Sequence, residues 1–61
     1  MNVCEFTVFI GAEIVFRDAV YAKLEGGGVL LRDVLGSMKT IENCKIVEVD
    51  VNSERLVLSR V

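Results

Sequence analysis

The stretch GAEIVFRDAVYAKLEGGG, residues 11–28, decides the fold. Ala12, Glu13, Ala22, Lys23 and Leu24 are good helix formers, so a helix over Ala12 to Leu24 competes with strands. Val15, Phe16, Val20 and Tyr21 weigh against it, because β-branched and aromatic side chains suit a pleated, half-buried surface. Read as strands, Gly11-Ala12-Glu13 is a turn and Ile14-Val15-Phe16 a short strand. Ala19 to Glu25 is another, with Val20, Ala22 and Leu24 on one face and Tyr21, Lys23 and Glu25 on the other. Gly26-Gly27-Gly28 ends it. A phosphate-cradling glycine loop needs a following helix and, for a P-loop, a Lys and a Ser or Thr. Here Val29-Leu30-Leu31 follows, so the glycines are read as a hairpin that uses positive φ angles.

Outward from this centre the alternation continues. In Val3 to Ile10, Cys4, Phe6, Val8 and Ile10 share the core-facing side, and Val3, Glu5, Thr7 and Phe9 the other. Val29 to Leu35 is nearly all apolar apart from Arg32 and Asp33, as expected of a strand covered on both faces. Gly36-Ser37 turns the chain into Met38 to Glu42, and Asn43 suits a left-handed position. Cys44 to Val51 places Val47, Val49 and Val51 on one side and Ile46, Glu48 and Asp50 on the other. Asn52-Ser53-Glu54 is a hairpin loop before Leu56-Val57-Leu58. Six or seven short strands, with turn signals about every 8–12 residues, predict an all-β fold: a small barrel forming a single domain over residues 1–61.

Sixty-one residues leave little interior for a chain that is 52% hydrophobic and 26% charged. A core of this size rarely supplies more than about 3–5 kcal/mol, so the fold calls for an aid. Two cysteines 40 positions apart do not make a disulfide scaffold, and with no histidine a zinc-finger framework is excluded. Burial against a partner subunit is the remaining aid, with the outward residues Val3 and Phe9 as its simplest contacts. The net charge of −2 lacks the basic surplus typical of nucleic-acid binders. Met1 to Ile10 does not read as a signal peptide, and no window is apolar enough to span a membrane. The expectation is a cytoplasmic protein with both cysteines reduced.

Catalysis is the weakest reading. General acid–base chemistry near neutral pH turns most often on histidine, and the carboxylates are scattered one per turn or strand. Single-stranded nucleic acid would be met by stacking aromatics and a basic groove. Phe9, Phe16 and Tyr21 are the candidate platforms, with Arg17, Lys23 and Arg32 as cations; the competing reading makes these rings core or subunit contacts. Cys4 is either a small apolar side chain at the edge of the core or a metal ligand. One thiolate does not hold a transition metal alone. Two chains about a two-fold axis would supply two Cys4 thiolates, and backbone nitrogens would complete a tetragonal set. A metal at Cys4 therefore implies a homodimer. Cys44, at a strand start, reads as packing.

The run Cys4-Glu5-Phe6-Thr7-Val8-Phe9 resembles the opening of the CooT family of small nickel-binding proteins. The resemblance continues through Leu31-Arg32-Asp33-Val34-Leu35-Gly36, Lys39-Thr40-Ile41-Glu42, Ile46-Val47-Glu48-Val49-Asp50-Val51 and Leu56-Val57-Leu58, covering nearly the whole chain. It implies an SH3-like or Sm-like barrel that pairs as a homodimer, and a nickel ion bound through Cys4. Thiolate chemistry by itself accommodates zinc or copper(I) equally well. Typical members begin Met-Cys, whereas here Asn2-Val3 stands before Cys4, leaving the backbone amides of Val3 and Cys4 as neighbouring donors. The resemblance also extends, more distantly, to hydrogenase-maturation chaperones that hold cargo through an N-terminal cysteine. It thus implies a metallochaperone-like accessory protein serving a client metalloenzyme. The alternative is RNA binding, since the same group is also labelled predicted RNA-binding on fold likeness.

Overall fold

The computed structural model describes residues 4–61, and it is all-β. Six strands run in chain order: β1 (Phe6–Ile10), β2 (Glu13–Glu25), β3 (Gly28–Asp33), β4 (Met38–Glu42), β5 (Cys44–Asp50) and β6 (Arg55–Arg60). They form one sheet in the order β4-β3-β2-β1-β6-β5, antiparallel throughout except for the parallel pair β1–β6. Cys4 and Glu5, expected inside the first strand, precede it; Val3 lies outside the described residues.

The helix-or-strand contest at residues 12–24 ends in one long strand, where two had been read. β2 pairs with β1 through Glu13 to Ala19 and with β3 through Ala19 to Glu25, so it changes partner midway without breaking. Bulges make this possible. Against β1 the strand gains a residue between Ala19 and Phe16, where Asp18 has φ 60°, and another at Val15. Against β3 it gains one at Val20. Each extra residue bends the strand and adds twist, which lets β2 act as the corner of the fold. Asp is one of the few L-residues that adopts a left-handed backbone routinely.

The bends curl the sheet around one core of Val8, Ala19, Val29, Leu31, Cys44, Leu56 and Leu58. Phe6, Ile10, Val15, Phe16, Ile41 and Ile46 pack against it. The small barrel expected from the strand count is not closed: β4 and β5 are the two unpaired edges of the sheet. They are joined through Asn43 alone, at φ 57°, the left-handed position its sequence suggested. Its carbonyl accepts from the Val61 N–H at 3.0 Å, pinning the C-terminus at this corner. Cys44 is buried beside it and its thiol donates to the Ile41 carbonyl at 3.1 Å, so this cysteine does pack in the core.

The glycine run forms a two-residue hairpin, with Gly26 and Gly27 at φ 56° and 82°. Positive φ at both positions matches the twist of the flanking strands. Gly28 serves a different purpose: a Cβ there would lie 2.7 Å from the Ile41 carbonyl oxygen of β4.

Two patterns depart from strict alternation. β3 ends at Asp33, and Val34 and Leu35 turn outward instead of continuing a strand covered on both faces. Asp33 stops it by accepting the N–H groups of Leu35 and Ser37 on Oδ1, both at 2.9 Å. This Asx-type capture offers the backbone an alternative to the ladder. In β5, Ile46 opposes Leu58 and Val49 opposes Leu56, which makes Val47 a bulged extra residue. Ile46 and Val49 therefore share the inner face, and Val47 does not group with Val49.

Candidate functional site

The strand register carries several features to one end of the sheet. Phe6 of β1 pairs with Ala19 of β2, and Ala19 with Asp33 of β3. On the other side of β1, Thr7 pairs with Arg55, and Arg55 with Asp50. Cys4 stands two residues before Phe6, which puts it within about 7 Å of chain from that row. Its side chain is exposed, so within a single chain it does not pack at the edge of the core.

At this end the core is open. β2 and β5 are not hydrogen-bonded to one another, and between them lies an apolar groove of about 240 Å³. Phe6 and Leu56 line it together with Ala19 and Ala22 from β2 and Ile46 and Val49 from β5; Val20 and Tyr21 complete the rim. Each of the two strands that flank it carries a bulge, at Val20 in β2 and at Val47 in β5.

Two turns follow β3 and β5 at this end of the sheet. The Val34–Ser37 turn is tied to β2 by the Val34 N–H, which donates to the Asp18 carbonyl at 3.0 Å. The Val51–Glu54 turn is tied to β1 by the Thr7 N–H, which donates to the Glu54 carbonyl at 2.9 Å. Asp50 anchors that second turn. Its carboxylate accepts from Ser53, with the backbone N–H at 3.3 Å, and these bonds, helped by the nearby Arg55, hold its pKa below the ordinary carboxylate value.

The aromatic residues divide between the faces. Phe16 sits opposite Val8 and packs against the core, so it is no stacking platform. Tyr21 and Phe9 each carry an arginine over the ring, Arg32 at 4.5 Å and Arg55 at 5.2 Å from the centroid. Arg32 is among the cations the sequence suggested. Arg55 is not, because it reaches Phe9 through the parallel β1–β6 pairing, which no local pattern reveals.

Among the described residues no three His, Cys, Asp or Glu side chains cluster as a metal site. Cys4 therefore belongs to no such cluster among the described residues. No helix of the described residues is long and apolar enough to cross a membrane.

These features define a small all-β protein with a bent, unclosed sheet, whose exposed thiol and open core mouth lie at the same end. The sequence takes the assignment further. A family model described as "CO dehydrogenase accessory protein CooT" matches residues 3–59, and the chain belongs to that family. No curated protein matches it. Membership agrees with the resemblance read from Cys4 to Phe9 and the strands that follow.

Proposed function

We propose that this protein is a non-catalytic, metallochaperone-like accessory factor that binds a transition-metal ion, nickel foremost, through Cys4 of two paired chains. What carries the reading is the family match over residues 3–59, which includes an exposed Cys4. An accessory protein for CO dehydrogenase serves a metalloenzyme client, and an accessible thiolate is the donor type a metal cargo needs. One chain does not supply a donor set; a two-fold pair supplies two thiolates, with the backbone amides of Val3 and Cys4 beside them. Both cysteines are free thiols, as the cytoplasmic setting we infer for the protein would keep them.

Nickel titration followed by thiolate-to-metal charge-transfer absorption tests this directly. The band should grow to saturation in the wild type and be absent in Cys4→Ser. Growth of the same band in Cys4→Ser would overturn the assignment.

RNA binding is the second reading, favoured by the Tyr21–Arg32 and Phe9–Arg55 pairs, since both ring faces and guanidinium planes stack on bases. It requires affinity for single-stranded RNA that falls steeply with salt. The net charge of −2 places it behind metal binding.

A further inference from the structure

The sheet ends in two edges, β4 and β5, and an unpaired edge is a template on which another extended chain can add. The two are protected differently. β5 is bent by the bulge at Val47. β4 has no such break: Met38 to Glu42 pair with Arg32 to Gly28 of β3 without a shift of register, and the chain contains no proline to interrupt them. Met38-Lys39-Thr40-Ile41-Glu42 is thus a regular strand with one side open.

Lys39 is the residue that does not fit this pattern. It pairs with Leu31, which is fully buried, and cross-strand partners share a face. The lysine therefore stands on the core-facing side of β4, the side on which Ile41 packs against the core. Its stem crosses to the first half of β2, where Nζ donates to the Val15 carbonyl at 3.4 Å. Val15 is the extra residue of a bulge, opposite no residue of β1, and β3 pairs with β2 only from Ala19 onward. The ammonium is exposed, between two stretches of strand edge that no strand of the described residues covers.

We propose that Lys39 guards the β4 edge against other copies of the chain. A strand added beside β4 would have to cover the ammonium, and a charge taken out of water with one carbonyl as its partner is strongly disfavoured. An inward-pointing charge is among the devices by which sheet edges resist such addition. The guard has a specific target, because each molecule carries both edges. Pairing of β4 in one copy with β5 of the next is a head-to-tail contact, which extends into rings or filaments instead of stopping at two. With a neutral side chain at position 39, β4 would present only apolar groups on its inner face. The inference is independent of the metal reading.

Sedimentation velocity of the reduced protein over a range of concentrations tests it, with Lys39→Met as the neutral variant of similar length. Lys39→Arg keeps a cation in place. Lys23→Met, on the outer face of β2 opposite Leu30, makes the same change in net charge. The wild type, Lys39→Arg and Lys23→Met should share one size distribution. Lys39→Met should shift to faster-sedimenting assemblies that grow with concentration, and hydrogen exchange should show added protection at their β4 and β5 amides. Urea unfolding at low concentration separates this from misfolding, since Lys39→Met should have a midpoint no lower than the wild type. A Lys39→Met distribution identical to the wild type overturns the proposal. So does assembly that accompanies a lowered midpoint, leaves the β4 amides unprotected, or occurs equally in Lys23→Met.

Discussion

Gly28 shows how much a single hydrogen atom decides here. Its α-position faces the β4 backbone so closely that an added methyl would lie 2.7 Å from the Ile41 carbonyl oxygen, a backbone atom with no rotamer to escape into. Gly28→Ala should destabilise the protein by about 1–3 kcal/mol, the usual cost of overpacking, measured by urea unfolding. The neighbouring Gly26 and Gly27 are needed for their φ angles instead, so three adjacent glycines serve two distinct ends. Asp50 makes a different kind of prediction. Hydrogen bonds from Ser53 hold its carboxyl below the ordinary value, so the folded chain takes up this proton less readily than the unfolded one. Its contribution is complete above the unfolded-state pKa and is lost as pH falls through the lower folded-state value. Asp50→Asn should therefore lower stability somewhat at neutral pH, with the difference from the wild type fading as pH falls through the folded-state value, so that the acid limb is flatter. An acid limb that keeps its slope in the variant would show that the bond to Ser53 is not felt.

At the scale of elements, most strands were legible because their alternation is strong and their ends are marked by Gly, Asn or Asp. The Asn43 corner was legible for a chemical reason, namely that asparagine tolerates the left-handed backbone. Asn43→Gly should be nearly neutral, whereas Asn43→Val should cost about 1–2 kcal/mol, again read by urea unfolding. What strict alternation missed were the bulges. A bulge is one extra residue opposite a partner that lies far away in sequence, so it leaves no local trace. That is why β2 looked like two strands, and why Val47 seemed to belong with Val49. Asp33 misled in another way: its neighbours Val34 and Leu35 have strand-forming side chains, but its carboxylate captures the N–H groups beyond and ends the ladder. The candidate site follows the same division. Cys44 was legible as packing from its place at a strand start, whereas alternation put Cys4 on the core-facing side of a strand that in fact begins only at Phe6, leaving Cys4 exposed. The groove was not legible, because it exists only where β2 and β5 fail to meet, and neither strand announces that. The β3 core is tighter: Leu31 is fully buried, and Leu31→Ala should cost about 2–5 kcal/mol, as much as a core of this size usually supplies.

For the whole molecule, the shortage of interior that composition announced takes a definite shape. Among the described residues six strands curl around seven buried apolar residues, the sheet stops short of closing, and large apolar side chains such as Leu35, Leu24 and Val49 remain exposed. The proposed pairing would set two exposed Cys4 thiols on either side of a two-fold axis. Family membership and the exposed Cys4 are what support the proposed metal site on a pair of chains. Native mass spectrometry of the reduced protein, with and without nickel and beside Cys4→Ser, tests that joint claim most directly. The account predicts one nickel per dimer in the wild type and a dimer without nickel in Cys4→Ser. A wild-type dimer that takes up no nickel, or nickel retained in full by Cys4→Ser, would contradict it.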